Sequence, residues 1–169
     1  NVSTTGLTSF TNTDATVALG NVSQCATCTI GSTGSISLTA GLNGSVNVNG
    51  AGITSTGGSV TLTAGTTDGD VTVSAGAPVS GSGAVSLITG AAGSITVGAA
   101  VSSTGSTLTL TGGSGAAESV TINTGVTATG NTGVAVTTPS LKLNGTAALT
   151  ATSNNVAVQS NGAGNALTV

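Results

Sequence analysis

The sequence predicts an all-β chain wound into a parallel β-helix (β-solenoid), with about 24 residues per turn and three short parallel sheets. Three interleaved series predict it. In the first, an apolar, small polar, apolar triplet returns as Ile36-Ser37-Leu38, Val60-Thr61-Leu62, Val85-Ser86-Leu87 and Leu108-Thr109-Leu110, in steps of 24, 25 and 23 residues. In the second, Val46-Asn47-Val48, Val71-Thr72-Val73, Ile95-Thr96-Val97 and Val120-Thr121-Ile122 step by 25, 24 and 25. The third is sparser and rests on single apolar residues, Ile53, Val79, Val101 and Val126. Alternation within each triplet is the period of a strand, and a common beat across three series means three strands per turn.

Composition supports order and excludes several functions. Only 3% of the 169 residues are charged, namely Lys142, Asp14, Asp68, Asp70 and Glu118. So little charge with few large apolar groups can mean disorder, but here the aliphatics sit in period-2 triplets among strand-forming Val and Thr. His, Arg, Trp, Tyr and Met are absent, and Phe10 is the one aromatic residue. No basic patch can neutralise phosphates and no aromatic platform can stack bases, so nucleic acid is not an expected partner. No apolar run reaches the roughly 18 residues of a membrane helix, and the aromatic girdles of an integral barrel are missing, so no membrane insertion is expected. The chain opens without Met or a signal-peptide pattern, which reads as a mature chain or an excised piece.

Taken in order, residues 1–33 fit the beat poorly and read as an irregular lead-in coil or a cap, or equally as one more irregular rung. Val17-Ala18-Leu19 is their first clear triplet, and Phe10 suits covering an open end of the core. Within them lies Cys25-Ala-Thr-Cys28. Redox chemistry would need a helix N-terminus or a cation to lower a thiol pKa, and a zinc site would need two further ligands. The pair therefore fits a local disulfide or two small thiols packed in a rung.

Residues 34–169 carry the solenoid repeats, the whole chain making one domain. Alternation turns the outer members of each triplet inward and the middle member outward. Stacked turns then build aliphatic ladders: Ile36, Val60, Val85 and Leu108; Leu38, Leu62, Leu87 and Leu110; and Val48, Val73, Val97 and Ile122. No single turn can bury its apolar side alone, so neighbouring rungs supply the stability. Gly and Asn cluster between triplets at the corners, and Pro78 and Pro139 lie beside corners, where a missing N–H does least harm. Beyond residue 126 the beat loosens through Val134-Ala135-Val136, Leu141-Lys142-Leu143 and Val156-Ala157-Val158, and Leu167-Thr168-Val169 closes the chain. No polar cap follows, so the reading is an array cut from a longer one or subunits that stack end to end. About seven turns would make a rod roughly 34 Å long at the spacing of paired strands.

The run Gly58-Ser-Val-Thr-Leu-Thr-Ala-Gly65 is echoed by Gly34-Ser-Ile-Ser-Leu-Thr-Ala-Gly41 and Gly69-Asp-Val-Thr-Val-Ser-Ala-Gly76. These runs resemble the repeats of filamentous haemagglutinin-type and autotransporter-like bacterial surface exoproteins. The resemblance covers residues 34 to 137 and implies a right-handed β-helix shaft, secretion to the cell surface, and a structural or adhesive role.

Candidate sites for chemistry are few. β-Helix lyases and hydrolases need paired carboxylates, or a carboxylate with a basic partner, converging on one face. Asp68-Gly69-Asp70 is the one close acidic pair, and no Arg or His accompanies it. It reads as a solvated corner, or as a weak Ca²⁺ candidate with backbone carbonyls. No enzyme activity and no cofactor are expected. Lys142, the middle of its triplet, points to solvent; an isopeptide crosslink to Asn or Asp is the alternative. Sequons at Asn1, Asn21, Asn43 and Asn144 permit glycosylation without arguing for it. A sharper pattern lies on the outward positions of the first series, where Ser37/Thr39, Thr61/Thr63 and Thr109/Thr111 form Thr-x-Thr-like ranks broken by Ser86/Ile88. A flat rank of hydroxyls and methyls can order water, which makes Thr39, Thr61, Thr63, Thr109 and Thr111 a candidate ice- or ligand-binding face. The expected function is a structural, non-catalytic, extracellular filament or adhesin segment, with copies of itself and surface glycans as expected partners. An ice-binding solenoid and a carbohydrate-binding passenger segment are the alternatives.

Overall fold

The computed structural model describes residues 2–4, 8–11, 22–23 and 29–161, and every regular element in them is a strand. The strands follow one another in coils of three. The first coil is β1 (Val2–Thr4), β2 (Thr8–Thr11) and β3 (Val22–Ser23); the second is β4 (Thr29–Ser32), β5 (Ile36–Thr39) and β6 (Val46–Val48). The third is β7 (Gly52–Ser55), β8 (Val60–Thr63) and β9 (Val71–Val73), and the fourth β10 (Val79–Gly81), β11 (Val85–Ile88) and β12 (Ile95–Val97). Next come β13 (Val101–Ser103), β14 (Thr107–Thr111) and β15 (Val120–Ile122), then β16 (Thr127–Gly130), β17 (Gly133–Thr137) and β18 (Leu141–Leu143). β19 (Ala148–Ala151) and β20 (Val156–Gln159) complete the described strands. First, second and third members stack into sheets A, B and C of seven, seven and six strands, with parallel pairing throughout. The chain is a β-solenoid.

Register aligns like with like. Ile36, Val60, Val85 and Leu108 pair in one file of sheet B, Leu38, Leu62, Leu87 and Leu110 in the next, and Val48, Val73, Val97 and Ile122 in sheet C. All twelve are at most 2% exposed. Each contributes about 1.5–3 kcal/mol by leaving water. The lead-in segment joins the same stack: β1 pairs with β4, β3 with β6, and β2 with β5, where Phe10 stands opposite Leu38. Cys25, Cys28 and the triplets Val17-Ala18-Leu19 and Leu167-Thr168-Val169 lie outside the described residues.

Sheet A departs from the expectation. Its inward file runs through Ile53, Val79 and Val101 to Ala128, not to Val126. Val126 is inward too, at 8% exposure, but it belongs to the corner: its N–H donates to Asn123, as that of Ala77 does to Ser74 and that of Ala147 to Asn144. The longer corners between sheets C and A each tuck one extra apolar residue under the strand that follows. The second inward file of sheet A is small and polar, made by Ser32, Ser55, Gly81, Ser103 and Gly130. These residues sit where the chain bends sharply into sheet B, with no room for a branched side chain. The buried Ser55 hydroxyl donates to the Gly34 carbonyl of the preceding coil (2.7 Å) and accepts the Gly58 N–H (2.9 Å). Ser103 donates to Gly83 (2.8 Å). A buried hydroxyl left unpaired would be destabilising by about 1–3 kcal/mol, and here each is used to tie two coils together.

The octets of the resemblance occupy different faces. Gly34–Gly41 and Gly58–Gly65 cross sheet B and bury Ala40 and Ala64, whereas Gly69–Gly76 crosses sheet C and leaves Ala75 exposed. At the last described coil the core opens. Leu143 and Val156 are 39% and 40% exposed, while their file neighbours Ile122 and Val134 are almost fully buried.

Candidate functional site

Three outer faces and the corners between them are available to a partner. On sheet B, Thr39, Thr61, Thr63, Thr109 and Thr111 all point outward and are half-buried, packed side by side on a flat surface. In register they form two files, which Ile88 and Ala135 interrupt.

Sheet A carries a more complete array, which the sequence alone left unread. Thr54, Ser80, Ser102, Thr129 and Thr150 align in one outward file. Two residues on, Thr56, Ser82, Thr104, Asn131 and Thr152 form a second, each donating its N–H to the coil before. Thr56 and Thr104 also turn their hydroxyls back onto the Ser32 and Gly81 carbonyls, at 3.4 Å in each case. From the third described coil to the seventh every rank in both files is polar, whereas Gly31 stands in the first file at the second coil. The signal was present as a hydroxyl-x-hydroxyl pair on the common beat. It was masked because the residue between the pair is Ser, Gly or Ala, so no apolar triplet marks the strand.

The corner before sheet C holds a side-chain ladder. Ser45 Oγ accepts the Asp70 N–H (3.0 Å), Asp70 Oδ1 accepts the Ser94 N–H (2.8 Å), and Ser94 Oγ accepts the Ser119 N–H (3.0 Å). Glu118 Oε2 accepts the Ser94 hydroxyl (3.0 Å). Asp70 thus occupies a rung that Ser fills in neighbouring coils, and its carboxylate is engaged in holding the corner. Asp68 stands exposed at the same corner, across Gly69. Among the described residues no three His, Cys, Asp or Glu side chains come together. Lys142 projects from the outer face of sheet C beside Thr121 and is exposed.

The corner between sheets B and C builds a groove. Residues 40–45, 64–70, 89–94 and 112–119 loop out there, whereas residues 138–140 cut the corner short. The long loops stack on one another: Thr67 N–H donates to Leu42, Ala91 to Thr66, Ala92 to Thr67 and Ser114 to Ala91. This ridge and the outward file of sheet B flank a shallow, open groove of about 350 Å³. Thr63, Ile88 and Thr111 line one wall, and Thr66, Ala91 and Ser114 the other. Asn161 also lines it, its Nδ2 reaching back across the short corner to donate to the Gly112 carbonyl at 2.7 Å. Asn161 Oδ1 is buried and has no hydrogen-bond partner. No lining residue is charged.

Among the described residues no helix is long and apolar enough to cross a membrane. No protein-family model, curated protein or solved structure matches this chain.

Proposed function

We propose that the chain is a structural, non-catalytic rod segment of a bacterial extracellular filament or surface adhesin, and that copies of it add end to end. The observation that carries this reading is the exposed apolar surface at β19 and β20, the last strands of the described stack. There Val156, in file with the buried Val134, is 40% exposed, and among the described residues each of these two strands has a neighbour on only one side. Such an edge offers unpaired backbone groups and a slice of aliphatic core, the chemistry that takes up one more coil of the same kind. The near absence of charge supports association, since little electrostatic repulsion opposes contact between copies. The repeat resemblance around Gly58–Gly65 supports the secreted, surface-exposed setting.

Sedimentation of the parent and of Val156→Lys tests the reading. The parent is expected to sediment faster as concentration rises. Val156→Lys, which places a charge on the open edge, is expected to remain monomeric with an unchanged circular dichroism spectrum. Concentration-independent sedimentation of the parent would rule out assembly through this edge.

A second reading is favoured by the sheet A array, in which the hydroxyls of Thr54, Ser80, Ser102, Thr129 and Thr150 repeat at the spacing of paired strands, about 4.8 Å. A rigid array of this kind can order water into an ice-like layer. If it does, the chain produces thermal hysteresis, Thr104→Tyr abolishes it, and Thr61→Tyr on sheet B leaves it in place. No hysteresis in the parent ends this reading.

A further inference from the structure

We infer that the groove between the sheet B threonines and the stacked corner loops is a binding site for a short neutral oligosaccharide. It is a shallow groove open to solvent along its length, and its volume of about 350 Å³ leaves room for a disaccharide lying against the surface. Its chemistry is selective. Thr63, Thr66, Thr111 and Ser114 present hydroxyls that both donate and accept, as sugar hydroxyls require. Ile88 and Ala91 present aliphatic surface to the C–H face of a pyranose ring. The uncharged lining gives nothing to pair with a phosphate, a carboxylate or an amine, so charged sugars gain nothing over neutral ones. One lining residue carries an unusual feature. Asn161 Oδ1 is an acceptor without a donor at the groove's lining, and buried polar groups are rarely left in that state. Its amide orientation is settled by the bond from Nδ2 to the Gly112 carbonyl, since turning the amide over would set two oxygens against each other.

The walls are rigid because every loop of the ridge hydrogen-bonds to the loop of the coil before it. A rigid groove binds without an ordering penalty, though no aromatic residue strengthens the contact, so affinity falls in the millimolar range. Most of the groove lies on the flank of the rod at the third to fifth coils, and only Asn161 comes from beside the edge strand β20, so variants at Ile88 and Ser114 separate sugar binding from assembly.

The test is titration of the full chain with cellobiose, maltose and N,N′-diacetylchitobiose, followed by NMR chemical-shift mapping. At least one sugar is expected to saturate, with shifts concentrated at Thr63, Ile88, Thr111 and Asn161. Ile88→Arg and Ser114→Trp, which fill the groove from opposite walls, are each expected to weaken that binding by about tenfold or more, equivalent to losing one good contact. Ser114 is at an exposed loop tip, so its variant keeps the test valid if Ile88→Arg melts early. The proposal is overturned if none of the three sugars saturates by roughly 50 mM, far beyond ordinary weak affinity. It is equally overturned if both variants bind as the parent does.

Discussion

Val97→Asp is expected to abolish the folded rod. Val97 is fully buried and pairs in register between Val73 and Ile122, so its side chain has aliphatic neighbours above and below. A carboxylate there would be desolvated with no donor in reach, and the group would have to be protonated or drag water into the core. The expected loss is about 5 kcal/mol or more, comparable to the whole stability of a typical domain. In a stack whose coils are stabilised only by their neighbours, the damage also separates the coils on either side. Circular dichroism and thermal melting check this directly. A native spectrum and an unchanged midpoint in Val97→Asp would mean that this file does not face inward.

Gly90→Ala is the second large effect, and it separates steric need from conformational need. A Cβ on Gly90 would fall on the Gly65 carbonyl and the Thr66 peptide, backbone groups that are themselves held in the stacked ridge. Nothing flexible can move aside, so a loss of about 3 kcal/mol is expected, at the upper end of overpacking effects. Gly76 provides the contrast. It has φ +81° with open space around its Cα, so Gly76→Ala strains only the backbone and is expected to lose about 1–2 kcal/mol. Denaturant melts of the two variants rank them. Equal losses would mean that the loops of the ridge are not in contact.

What the sequence made legible follows from where aliphatic residues are required. Sheets B and C bury two branched residues per strand, so triplets such as Val60-Thr61-Leu62 and Val71-Thr72-Val73 announce themselves. Sheet A buries one aliphatic residue and one small one, because the chain turns sharply after Ser55 and Ser103, and a Ser there is indistinguishable from a loop Ser in one dimension. The assignment of Val126 to the rung in place of Ala128 has the same root: a corner residue can be inward and apolar without belonging to a strand. Corner length is a further quantity that apolar periodicity does not encode. The groove exists because residues 138–140 cut short a corner that residues 112–119 extend, and because Asn161 reaches Gly112 across 49 positions. The hydroxyl ranks were legible in kind on sheet B, but the longer polar run lies on sheet A from Thr54 to Thr150, where no triplet drew attention to it.

The central claim is that this solenoid acts as a rod continued by further copies at its open edge. Negative-stain electron microscopy of the purified chain over a concentration series tests it most directly. The expected result is uniform, unbranched fibres that lengthen with concentration and persist in high salt, because the joining surface is aliphatic and backbone rather than charged. Short rods of constant length at every concentration would contradict end-to-end assembly through β19 and β20.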